Sequence, residues 1–216
     1  MIYQRTLVLI EGPSVPVVTA DELRTMLSVT TEDDVLEPLE QAAVATLDPA
    51  SNGWLGRALR PQTWELRLSQ FPCDAIRLPF PPQTSIVSFK YDDAAGVEQT
   101  LVEGTDYRVF NLNQRVACLV DKPYQGSWPS ARYDRESIRI RYVAGYAGNA
   151  MPAPIKQAVA LAVKDLQSIS ERNLFLNREE IPGVRSRGWV VSESAGKVIQ
   201  NAIGNLLSTY RVWSNG

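Results

Sequence analysis

Residues 62–91, QTWELRLSQFPCDAIRLPFPPQTSIVSFKY, decide the fold. Three short runs within this stretch alternate apolar with polar residues, and each ends in proline or a polar turn. In the first, Trp64, Leu66 and Leu68 fall on one face and Glu65, Arg67 and Ser69 on the other, the period of a half-buried strand. Pro79, Pro81 and Pro82 bar a helix and leave extended or edge backbone between the second and third runs. A sheet therefore starts here, and the segments on both sides of it carry helical spacing.

Toward the N-terminus, Tyr3 to Ile10 reads as an extended arm ended by Gly12, Pro13 and Pro16. Thr19 and Glu22 match a capping box, and Leu23, Met26 and Leu27 give the helix that follows, through Val29, one narrow apolar stripe. Thr30 or Thr31 should cap a second helix with Glu32, Asp33 and Asp34 in its first turn. Val35, Leu36, Leu39, Ala42, Ala43 and Leu47 form its inner face, with Glu37, Glu40 and Gln41 outside and a bend or a later start at Pro38. Trp54 lies in a last apolar turn before the sheet and reads as core.

Toward the C-terminus, Asp92 to Gly96 predicts a hairpin loop, strands follow near 106–110 and 115–120, and Ser137 to Val143 is the last. The total is six or seven antiparallel strands, enough for a small sandwich or curled sheet. Pro123 to Asp134 is a loop that carries Tyr124, Trp128 and Tyr133 beside Arg132 and Arg135. That mixture suits stacked bases and phosphates, and it equally suits a protein interface or simple packing. Ile155, Val159, Ala162, Val163, Leu166 and Ile169 then predict a long central helix packed on the second one. Residues 171–194 lose the pattern while keeping Trp189, Val190 and Val191, as a mobile loop or a partner-ordered arm would. A final helix near Ala195 to Tyr210 leads into Arg211, Val212 and Trp213, which close the core or dock outward.

The expected fold class is α+β: a helical bundle core from 1–60 and 146–216, with an antiparallel β lobe inserted at 61–145. The chain has 216 residues, a formal charge of −2 and two cysteines, Cys73 and Cys118. That balance gives no overall pull toward nucleic acid or an anionic membrane, and two cysteines suggest neither a disulfide framework nor a zinc site. No apolar run approaches the ~20 residues that span a bilayer.

Chemistry is scarce. With no histidine in the chain, the commonest general base, the imidazole triads and most zinc sites are removed. Gly145-Tyr146-Ala147-Gly148 lacks the spacing and the lysine of a phosphate cradle. Asp92 with Asp93, Asp134 with Glu136, and Glu179 with Glu180 read as solvated loop carboxylates. The expectation is a protein without cofactor, metal or catalytic residues.

The order of the pieces carries more than any one of them. VTADELRTMLSV, TTEDDVLEPLEQAA, GWLGRALRPQTWELRL, IRLPFPPQTSIVSFKY, IRIRYVAGY, PAPIKQAVALAV and the terminal LLSTYRVW together resemble the head-tail connector (adaptor) proteins of long-tailed bacteriophages and gene transfer particles. The resemblance runs from about Val18 to Trp213, and its most distinctive parts are GRAL with QTW and the proline-rich LPFPPQTS. It departs from the common pattern between Asn173 and Val198, where shorter members pass quickly to the terminal segment.

The resemblance implies a virion protein of the neck, assembled in the host bacterial cytoplasm, that forms a ring, commonly a dodecamer, beneath the portal protein. Such a ring extends the DNA channel, lets DNA pass without sequence-specific binding, and presents a surface to the stopper or tail-completion protein. It also implies that C-terminal segments meet the portal, so the candidate interface residues are Trp189, Val190, Val191, Leu206, Leu207, Tyr210, Arg211, Val212 and Trp213. The competing expectation is a stand-alone β-sandwich module recognising carbohydrate or peptide through the aromatic loop, with Tyr124, Trp128, Arg132, Tyr133 and Arg135 in contact.

Overall fold

A computed structural model describes residues 4–171, 179–181, 185–187 and 193–213, with 169–171, 179–181, 185–187 and 193–195 described by secondary structure alone. The elements are β1 (Arg5–Glu11), α1 (Ala20–Leu27), α2 (Asp33–Ala45), β2 (Gln62–Leu68), β3 (Ile76–Arg77), β4 (Gln83–Asp92), β5 (Glu98–Thr100), β6 (Arg108–Phe110), β7 (Leu119–Asp121), β8 (Ile138–Ala144), α3 (Ala153–Glu171), β9 (Glu179–Ile181), β10 (Arg185–Arg187) and α4 (Glu193–Ser208). The fold is α+β, and every paired strand is antiparallel to its neighbour.

The chain divides into two compact units. One contains residues 1–15, 47–151 and 210–216, and the other contains 16–46 and 152–209. Residues 47–60 and the N-terminal strand thus belong with the sheet.

In the sheet unit, five strands run in the order β1-β2-β8-β4-β5 and three in the order β3-β7-β6. The alternation at 64–69 is realised as expected. Trp64, Leu66 and Leu68 join Phe89, Ile138, Ile140 and Tyr142 from the five strands, Ile76 and Val120 from the three, and Cys118 just before β7 in one buried cluster. The opposite face of the larger sheet is a lattice of ion pairs. Glu65 accepts from Arg141 at 2.7 Å and from Arg67 at 2.8 Å, and Arg67 also reaches Glu136 at 2.8 Å. Arg139 holds Asp92 at 2.7 and 3.0 Å and Glu98 at 3.0 Å. The extended arm expected near Tyr3 to Ile10 is, over Arg5–Glu11, the edge strand β1, paired with β2 from Arg5↔Leu68 to Glu11↔Thr63.

In the helical unit, Thr19 and Glu22 form the expected capping box. The cap of α2 differs from expectation. Glu32 occupies the N-cap without a side-chain bond, because Thr31 is engaged elsewhere: its carbonyl accepts from Arg24 and its hydroxyl from Gln167. The inner face of α2 differs too. Glu40 is buried, since its carboxylate accepts the Val17 and Val18 amides at 2.7 and 3.2 Å, while Val35 and Ala42 face solvent. The helix continues through Pro38. The long helix α3 contacts α1, α2 and α4, and Ile155, Val159 and Val163 are buried along it.

Candidate interaction surface

The last described residues return to the sheet unit and build its most unusual surface. The Val212 amide donates to the Leu55 carbonyl at 2.9 Å. Gly56 has φ +66°, and a Cβ there would come within 2.5 Å of the Val212 carbonyl oxygen, so only glycine lets the tail lie this close. Beneath it, Arg57 is buried. Its guanidinium donates to the carbonyls of Arg115 at 2.7 Å, Tyr210 at 2.9 Å and Pro81 at 3.4 Å, and to the Tyr146 hydroxyl at 3.3 Å. Desolvation pushes Arg57 below its ordinary pKa, with Tyr146 acting in the opposite sense, and burial pushes Tyr146 up. One cation therefore ties the tail to three other segments of the chain.

Above this anchor the side chains alternate aromatic and cationic. Arg115 lies over the Tyr210 ring at 4.4 Å, and Arg211 lies over the rings of Trp213 at 3.7 Å and Trp54 at 5.3 Å. Trp54, expected in the core, is 40% exposed, because its indole is covered by Arg211 and not by the sheet; Trp213 is 66% exposed. Arginine stacked on a ring face keeps the edge of its fork free for a carboxylate.

The remaining candidates are dispersed. Leu207 is buried within the helical unit and Leu206 is half-buried there, whereas Tyr210 and Val212 are half-buried on the sheet unit. Trp189, Val190 and Val191 lie outside the described residues. In the aromatic loop, Tyr124 at 77% and Tyr133 at 66% are exposed, but Trp128 is stacked on Phe71 at 4.9 Å and meets Phe89 edge-on at 5.8 Å. A loop reader would need that ring free; it packs on the core cluster, and its indole N–H has no acceptor among the described residues. Arg132 approaches Asp134 at 3.7 Å, and Arg135 lines an open polar groove with Gln4, Arg5, Thr6, Arg67 and Glu136.

Asp92 and Asp93 are structural groups, and the side chains of Glu179 and Glu180 lie outside the described residues. Asp92 is held well below its ordinary value by Arg139, and Asp93 caps its own loop by accepting the Ala95 and Val97 amides at 2.9 and 3.0 Å. Burial pushes the Cys118 thiol up to about 11. Among the described residues, no group of three or more histidine, cysteine, aspartate or glutamate side chains could hold a metal ion. No described helix is long and apolar enough to cross a membrane.

No protein-family model matches the chain, and no curated protein matches it. Solved structures do. A chain in the virion of a native gene transfer agent (GTA) particle superposes with a TM-score of 0.64 at 19% identity, over 98% of both chains. A chain in the neck of the native GTA particle computed with C12 symmetry gives 0.63 at 20%, over 97% of this chain and 98% of that one. This protein has the fold of that neck chain. A third match, in the neck of the empty GTA particle computed with C6 symmetry, gives 0.63 at 19% over 98% of both. At these identities the likeness is one of fold, and it spans both units.

Proposed function

We propose that this protein is a head-tail connector (adaptor): a structural part of a virion neck, and not an enzyme, that forms a ring beneath the portal protein. The observation that carries the reading is the shared fold over nearly the full length of both chains with a chain of a particle neck. The C12 and C6 symmetries in which those necks were computed support a ring, a dodecamer when complete. On this reading the helical unit is the bundle core of the connector and the sheet unit its inserted lobe. The C-terminal segment and its aromatic patch make the contacts to the portal and to neighbouring copies, and the far side of the ring receives the stopper or tail-completion protein.

The electrostatics suit a conduit. A duplex must slide, and a strongly basic lining would hold phosphates through counterion release. Here the cations of the larger sheet's charged face are matched by carboxylates within the sheet and its loops. The competing module reading loses its central ring, since Trp128 packs against Phe71 and Phe89.

The test is recruitment to portal rings purified from the same particle, followed by light scattering. A connector binds them in a fixed ratio. A stand-alone binding module leaves the portal's mass unchanged, and that result would remove the connector reading.

A further inference from the structure

The patch of Trp54, Arg211 and Trp213 is a positive, aromatic surface on a chain whose formal charge is −2. It is held rigidly. The tail backbone is fixed by Leu55 and by the buried Arg57, so little ordering remains to oppose binding. Arg211 touches the two rings and forms no ion pair among the described residues, which leaves its fork open toward solvent. Exposed tryptophan beside arginine is the composition of an interface anchor, and the charge selects an acidic partner.

The same chain carries a matching surface. At the start of α2, Asp34 and Glu37 are exposed, three residues apart and on one side of the helix, and neither has an ion-pair partner among the described residues. Asp33, beside them, is already paired with Arg24. Two unpaired acids on one side of a helix complement one cation stacked on two exposed indoles.

We propose that the Trp54–Arg211–Trp213 patch of one copy receives the Asp34–Glu37 turn of a second copy, with a carboxylate on the Arg211 fork. Patch and turn are different surfaces, so the contact is head-to-tail. Such contacts propagate until they close into a ring. The inference rests on the ring part of the connector reading and names the contact that closes it.

Charge reversal tests it. Arg211→Glu and Asp34→Arg are both at exposed positions, and each alone places like charges across the contact. Copies bound per purified portal ring, counted by mass photometry across a concentration series, should then require at least about tenfold more protein than wild type. A one-to-one mixture of the two variants restores every contact in an alternating ring, as does the double variant in one chain, and both should return to within about threefold of wild type. Glu37→Arg replaces Asp34→Arg if circular dichroism shows that the latter weakens α2. Single variants that assemble like wild type, or a mixture that fails to recover, overturn the contact while leaving the connector reading intact. Loss of binding by Arg211→Glu alone, with Asp34→Arg and Glu37→Arg unaffected, assigns the patch to the portal and overturns the inference. Wild-type protein that forms no ring on the portal removes the ring reading and this contact with it.

Discussion

Trp128 and Trp213 both stand near arginines in the sequence, yet one is packed into the core and the other is left at the surface. Trp128 belongs to a loop between strands, and its ring lies flat on Phe71, against the sheet's apolar side. Trp213 follows a helix, and the chain is held there by a backbone bond to Leu55 and by the buried Arg57, leaving its ring over Arg211 in solvent. Aromatic residues and arginines close together in sequence therefore do not mark an interaction surface. What marks it is a rigid backbone whose side chains still lack partners.

Substitutions should separate the two clusters. The largest stability loss is expected from Arg57→Met, which leaves the carbonyls of Pro81, Arg115 and Tyr210 without their buried cation; urea unfolding should show a loss of about 3 kcal/mol. Trp128→Ala should follow at about 2–3 kcal/mol, below the value for a fully buried tryptophan, with portal recruitment unchanged for the fraction that folds. Because the Trp128 indole N–H has no acceptor among the described residues, Trp128→Phe should cost less than about 1 kcal/mol. If Trp128→Phe costs as much as Trp128→Ala, that ring is held by a polar contact and the comparison breaks.

The charged face of the sheet gives a pH prediction of smaller size. Asp92 is lowered chiefly by its bonds from Arg139 and Glu98 chiefly by its bond from Lys90; for Glu65, burial acts upward but is outweighed by Arg141 and Arg67. Each carboxyl is thus depressed in the folded state. The stabilisation is fully present above the ordinary carboxylate range, about pH 4, and is lost as pH falls through the lower folded values. Thermal midpoints should be level near neutrality and drop below about pH 4, and Asp92→Asn should flatten that drop. An unchanged profile in Asp92→Asn would show that the lattice is not what acid attacks. Smallest of all should be Trp213→Ala, under about 0.5 kcal/mol in stability because its ring is mostly in solvent, yet with weakened ring assembly.

Strand alternation made the sheet legible before any coordinates. Trp64, Leu66 and Leu68 needed only their period of two, and Thr19 with Glu22 needed only their spacing. The misread positions are those where a distant group changes the local rule. Glu40 turns inward to accept the Val17 and Val18 amides, and β1 pairs because β2 offers an edge. Trp54 lies outside the core because a guanidinium more than 150 residues away, on Arg211, covers it. Arg57 stood in the sequence only as part of the GRAL piece of the resemblance, with nothing to show its burial, and the patch it supports draws on residues 54, 211 and 213, which no local window joins.

The central claim is most directly tested by imaging the intact particle at its neck by electron cryomicroscopy without imposed symmetry. The expected image shows this fold in a closed ring directly beneath the portal, with Trp54, Arg211 and Trp213 of each copy against the first turns of α2 in the next. A neck that lacks this chain, or a ring in which that patch faces open solvent, would contradict it.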